Sequence, residues 1–247
     1  MFPLRRLAHI VRSTPLAKAD LGDGKIIMLH GSGINDRVAM VFAMASISLT
    51  EDEAKRAAAN VQRACPGHAL DCMMRGIANA LWETAEYTAD EGTDMGFGEA
   101  VDVYRTFKRV QSSGRYDCDC ASGSIVALGH LLGLDAGVRV IEQKLSDGWA
   151  WSHIYGRLAP RGTQAWRPLE LTPVPPLGDK AVVGWETPRS TFRRHVDFVF
   201  HAPTWEAWRS KCDLANGILA PLPKVTAAPT SCLRKDGPCT GECGCHK

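Results

Sequence analysis

The run Asp117-Cys118-Asp119-Cys120 constrains this chain more than any other stretch. It stands directly before an apolar series at helical spacing, Ile125, Leu128, Leu131 and Leu132, and Gly133 follows where a helix would stop. A cysteine at the mouth of a helix meets unpaired backbone N–H groups and the positive end of the helix dipole. Both favour the thiolate, which is the nucleophilic form. Downstream come Trp151-Ser152-His153-Ile154-Tyr155 and then Trp166-Arg167-Pro168-Leu169-Glu170-Leu171-Thr172. Cysteine at a helix start, histidine on a following strand and carboxylate on the next is the order a thiol-nucleophile site needs.

The rest of the chain bounds what surrounds that site. Its 247 residues allow one generous domain, or one domain with appended arms. A net charge of +2 does not announce nucleic acid or an anionic membrane, so partners must be argued from sites. The N-terminal residues lack the apolar core and cleavage site of a secretory signal. The longest apolar run, 38–49, is far short of the roughly 20 residues of a membrane helix. These features predict a soluble protein made in a cytoplasm. The nine cysteines are unevenly placed: Cys65 and Cys72 in a helical region, Cys118 and Cys120 around Asp119, Cys212 alone, and four in the tail. No export signal suggests oxidation, and Cys65 and Cys72 read as packing or surface residues.

Periodicity supplies the frame. Residues 1–22 read as an arm and 25–30 as a strand. The glycines after it complete no phosphate-loop pattern. The apolar stretch 37–49 is strand or buried helix by its period. Thr50, followed by acidic residues, predicts an N-cap and a helix to residue 64. Further helices are expected over 68–86, with Leu70, Met73, Met74, Ile77, Leu81 and Trp82 on its apolar side, and over 99–110. Strands are expected over 137–143, 149–158, 164–171 and 195–200, then a helix over 204–212. On the third of these strands Trp166, Pro168 and Glu170 share one face. The pattern is an α+β fold, with helices packed on an antiparallel sheet. The domain boundaries follow: arm and strands 1–49, a main domain 50–220, a proline-rich linker 221–230 and a cysteine-rich tail 231–247.

The quoted motifs resemble the transglutaminase-like superfamily, thiol peptidase and amidase relatives of the papain architecture, over roughly residues 70–175. Its Gly-Asp-Cys-Asp-Asp motif is matched by Tyr116 to Cys120, its Ser-His-Val-Tyr-like strand by Ser152 to Tyr155, and its Trp-x-Pro-Leu-Asp-Pro-Thr-like strand by Trp166 to Thr172. The resemblance implies a triad of Cys118 as nucleophile, His153 as general base and Glu170 as the group orienting the imidazole. It implies acyl transfer from a peptide or protein amide through a thioester, to water or to an amine. The Cys118 N–H and, on looser analogy, Gln111 would face the oxyanion. Tyr116 replaces the family's glycine and Glu170 its aspartate. No cofactor is needed for this chemistry. The plainer reading of the same residues is two buried thiols and a core histidine. Cys120 is either a disulfide partner or the nucleophile, with the motif register favouring Cys118. Signal-less proteins of this type resemble ones encoded among tailed-bacteriophage virion genes. The resemblance thus implies a structural component of a virion made in the host cytoplasm, with other virion proteins as partners. The alternatives are a bacterial cytoplasmic amidase, or an inactive scaffold.

The tail is a separate device. Cys232, Cys239, Cys243, Cys245 and His246 lie among small turn-forming residues and offer ligands for zinc or an iron–sulfur cluster. Disulfides, or a reduced tail, are the competing expectations. Its balanced local charge argues against a nucleic-acid-binding finger.

Overall fold

The computed structural model describes residues 17–20, 26–29, 34–88, 102–145, 148–172, 191–211 and 225. The fold is mixed α+β, organised around one buried helix. Two strands, β1 (Ala17–Asp20) and β2 (Ile26–Leu29), open the chain, followed by helices α1 (Ile34–Ser48), α2 (Asp52–Ala64) and α3 (Leu70–Trp82). Short strands β3 (Glu86–Tyr87), β4 (Asp102–Arg105) and β5 (Arg115–Tyr116) alternate with helix α4 (Phe107–Ser113) and lead into α5 (Cys118–Leu131). Strands β6 (Asp135–Leu145), β7 (Gly148–Ala159), β8 (Arg167–Leu169) and β9 (Phe192–Val199) build the main sheet, and α6 (Ala202–Lys211) follows. That sheet is antiparallel in the order β8-β7-β6-β9. β1 pairs antiparallel with β2 and parallel with β4, so the expected arm ends in a strand.

Helix α5 lies between the sheet and α1, with every residue from Asp119 to Gly129 buried. Such a helix has no polar face, which is why its sequence is rich in small and aliphatic residues. Close approach to the sheet is made possible at Gly156 of β7: a Cβ there would sit 2.5 Å from Ile125 Cγ2. The helix ends as expected, with Gly133 at φ +76, a conformation glycine adopts without strain.

Helix α1 resolves the ambiguity of 37–49. It is buried from Val38 to Ser46, so neither a period of two nor a one-sided helical stripe shows. Residues 34–48, grouped by sequence with the N-terminal arm, pack in the same core as α5, and Phe42 meets Phe200 and Trp205 edge-on.

Several expected boundaries shift. The N-cap of α2 is Glu51 rather than Thr50, because the Thr50 hydroxyl donates backwards to the Ile47 carbonyl at 2.8 Å. The Glu51 carboxylate instead accepts from the Lys108 N–H at 2.9 Å, and Ser48 Oγ accepts from the Phe107 N–H, also at 2.9 Å. Together with Thr106 as N-cap, they satisfy the start of α4. The helix expected over 99–110 is therefore strand β4 followed by α4, its break set by the extended backbone of Thr106. The helix expected over 68–86 stops at Trp82, and Glu86–Tyr87 pairs with β5 instead. Cys65 and Cys72, expected as packing or surface residues, form a disulfide across the α2–α3 turn. Seven residues of separation brought together by a tight turn gave no sequence signal, since connectivity among nine cysteines is not readable from spacing.

Candidate active site

Cys118 is the first residue of α5, and the turn that presents it is tightly built. Asp117 caps the helix in extended conformation, its Oδ1 accepting from the Cys120 N–H at 2.8 Å. Its other oxygen lies 3.6 Å from Arg105 Nη1, and its side chain is almost wholly buried. Cys118 itself is half-buried and outside any disulfide. It lines a cavity of about 310 Å³ together with Asp119, Val140, Trp151, Ser152, His153 and Ile154.

His153 reaches this cavity from an irregular point in the sheet. Val140 pairs with Ile154 and Glu142 with Trp151, so one extra residue is accommodated on β7 beside His153. Bulges of this kind re-aim side chains next to active sites. The His153 Nε2 lies 2.7 Å from Glu170 Oε2. Glu170 is 1% exposed, and its other oxygen accepts from the Thr172 N–H at 3.0 Å. A carboxylate can only accept, so Nε2 carries the proton and Nδ1 is the ring nitrogen with a lone pair. A base held in one tautomer by a buried acid is the arrangement that activates a nucleophile in thiol and serine acyl transferases.

Tyr116 does not enter the cavity. It is buried, and its hydroxyl donates to the Leu171 carbonyl at 3.3 Å, joining the strand before Cys118 to the segment after Glu170. Burial, with the nearby Glu170 carboxylate adding to it, pushes this phenol up to about 12.

Cys120 does not line the cavity that Cys118 lines. Its side chain is 1% exposed and its thiol donates to the Val103 carbonyl at 3.2 Å. Burial first, and the Asp117 carboxylate second, push its pKa well above the ordinary thiol value despite Arg105 nearby. Gln111, expected as an oxyanion donor, lines a different cavity of about 580 Å³ between α2 and α3. The first turn of α5 still supplies backbone N–H groups that no intrahelical carbonyl can accept. Cys232, Cys239, Cys243, Cys245 and His246 lie outside the described residues. Among the described residues no group of three or more histidine, cysteine or acidic side chains could hold a metal ion, and no helix is long and apolar enough to cross a membrane.

No family model and no curated protein matches the chain. Among solved structures, it is similar to a "putative protease" from Parabacteroides distasonis ATCC 8503, at 11% identity and a TM-score of 0.39. The alignment covers 67% of this chain and 30% of that one, so the chain spans less than a third of that protein's length. Chemistry is therefore read from the site itself.

Two contributors to the site gave no sequence signal. Ile34, Arg37 and Val38 of α1 line the cavity wall opposite the sheet. Arg105 pairs with the capping Asp117 from a segment expected to be helical. Outside the cavity, Glu142 is gripped by Arg193 and Arg194 at the end of the sheet that extends past Trp151.

Proposed function

We propose that this protein is a transglutaminase-like thiol amidase or acyl transferase, with Cys118, His153 and Glu170 as its triad. One observation carries the reading: Cys118, at the first position of a buried helix, and His153, held at 2.7 Å by a buried carboxylate, line the same cavity. In the mechanism, His153 Nδ1 takes the thiol proton as sulfur attacks the carbonyl carbon of an amide. Negative charge develops on the carbonyl oxygen, towards the N–H groups of the α5 first turn. The imidazolium then protonates the departing amine, the C–N bond breaks, and a thioester remains on Cys118. Water or a second amine, deprotonated by His153, attacks that thioester, and the thiol is regenerated. Glu170 keeps the imidazole oriented and stabilises its cation throughout.

A generic acyl donor tests this without knowledge of the substrate. p-Nitrophenyl acetate should give a nitrophenolate burst and an acetyl group mapped by mass spectrometry to Cys118. Both should be lost in His153→Ala. Acetylation spread evenly over the cysteines, with no burst, would refute the triad.

The setting we propose is the virion of a tailed bacteriophage, supported by the motif resemblance alone. Gradient-purified particles should contain the chain, and its absence from them would favour a cytoplasmic amidase. The tail is proposed to hold zinc or an iron–sulfur cluster through its four cysteines and His246. Elemental analysis of the purified protein decides this.

A further inference from the structure

The main sheet continues past the cavity, and its far end carries a different set of side chains. Trp149 pairs with Lys144 and Trp151 with Glu142 across β6 and β7, while Arg194 pairs with Glu142 from β9. Directly paired residues share a face, so Trp151, Glu142 and Arg194 form one row, and Lys144 and Trp149 lie beside it. Trp151 also lines the cavity that holds Cys118 and His153, which makes this face continuous with the site.

The row is stiff and cationic. The Nε and Nη2 of both Arg193 and Arg194 donate to Glu142, at 2.9 and 3.0 Å for Arg193 and at 2.7 and 2.6 Å for Arg194. Each guanidinium therefore spends one edge on Glu142. Each Nη1 is without a protein acceptor among the described residues. The Arg193 guanidinium lies 5.1 Å from the centroid of the Trp149 ring, and that of Arg194 5.6 Å from Trp151. Trp149 is 41% exposed, a large apolar side chain left open to solvent beside two anchored cations. Two guanidiniums grip a single buried carboxylate and Lys144, an exposed residue, stands on the same face, so the row carries excess positive charge.

We propose that this row is the recognition subsite for a carboxylate-bearing peptide segment next to the amide that enters the cavity. The carboxylate would take the outward guanidinium edges and the peptide's apolar portions would lie on the two indole rings. An acidic peptide fits better than a polyanionic nucleic acid because the cations form one compact row and the whole chain carries only +2. The inference rests on the thiol-amidase reading, since it takes the occupant of the neighbouring cavity to be an amide.

The test is a binding titration on full-length Cys118→Ala protein, which cannot turn substrate over. The probes are a short capped peptide with glutamates flanking a glutamine, and its counterpart with lysines. The acidic peptide should bind about tenfold tighter than the lysine peptide, equivalent to about 1.4 kcal/mol. Arg193→Gln should reduce that preference several-fold while Arg194 still holds Glu142. Trp149→Ala changes an exposed ring, so it preserves the fold and should weaken both peptides. Equal affinity for the two peptides, or tighter binding of an oligothymidine than of the acidic peptide, overturns the subsite. Alkylation of Cys118 in the unmodified protein separates the two claims. An inert thiol with selective acidic-peptide binding removes the amidase reading alone, and an activated thiol without selectivity removes the subsite alone.

Discussion

Cys118 and Cys120 stand in the same turn of the same helix, two residues apart, and their surroundings are opposite. Cys118 opens onto a cavity shared with an imidazole, whereas Cys120 points into the core against β4, beside a buried carboxylate. Two residues along a helix rotate the side chain by roughly 200°, which suffices to exchange a cavity wall for a packed interior. The local sequence is nearly symmetrical, Asp-Cys-Asp-Cys, and the helix N-terminus acts on both. What separates them is the third dimension: His153 comes from β7 to one side and Val103 from β4 to the other. The motif thus specifies a turn, and tertiary contacts set which thiol faces the cavity.

The largest effect is expected from the cysteines themselves. Cys118→Ala should abolish the acetylation burst, and Cys120→Ala should retain it with some loss of stability, both read by stopped-flow absorbance. Next, His153→Ala should slow Cys118 acylation by on the order of 10²-fold. Glu170→Gln should slow it by about tenfold or more, through the wrong tautomer rather than a missing base. Asp117→Ala should cost about 1–2 kcal/mol in denaturant unfolding through loss of the N-cap. The same change removes a carboxylate that holds the Cys120 thiol up, so Cys120 should ionise at lower pH and the two cysteines should become more alike. Tyr116→Phe should cost about 1 kcal/mol and lower the burst rate, because Leu171 and Glu170 lose their tie to the strand before Cys118.

The smallest effect lies outside either cysteine. The Arg194 and Arg193 hydrogen bonds lower the Glu142 pKa from 4.5 in the unfolded chain to about 2 in the fold. The folded value is the depressed one, so this carboxylate stabilises the protein above about pH 4.5. That contribution fades as the pH falls towards about 2. Glu142→Gln should therefore lower the midpoint of urea unfolding at neutral pH and flatten its decline through that acidic window.

Much of this arrangement was legible in the chain, for identifiable reasons. The strand carrying His153 showed because turn-forming residues at 146–148 and 160–162 bound it, whereas the strand expected over 164–171 is only Arg167–Leu169 and Glu170 lies just past it; α5 showed because Asp117 and Gly133 bound an apolar helical series. Helix α1 could not be typed, since burial on all sides erases the period that types a helix. Strand β4 was read as helix because four residues ending at a threonine cap carry too short a pattern. Gln111 was misplaced because proximity in sequence to Cys118 does not imply proximity across α4, and its side chain lines a separate cavity. The Cys65–Cys72 disulfide was missed because the chain announces no oxidising compartment. The grip of Arg193 and Arg194 on Glu142 spans about fifty residues of sequence and exists only through the register of β6 with β9.

In the proposed site an imidazole activates one of two neighbouring thiols. Competitive labelling with limiting iodoacetamide at mildly acidic pH, resolved site by site by mass spectrometry, measures it directly. Cys118 should be modified about a hundredfold faster than Cys120, and His153→Ala should remove most of that advantage. Equal rates at the two cysteines, or a Cys118 rate unchanged by His153→Ala, would contradict it.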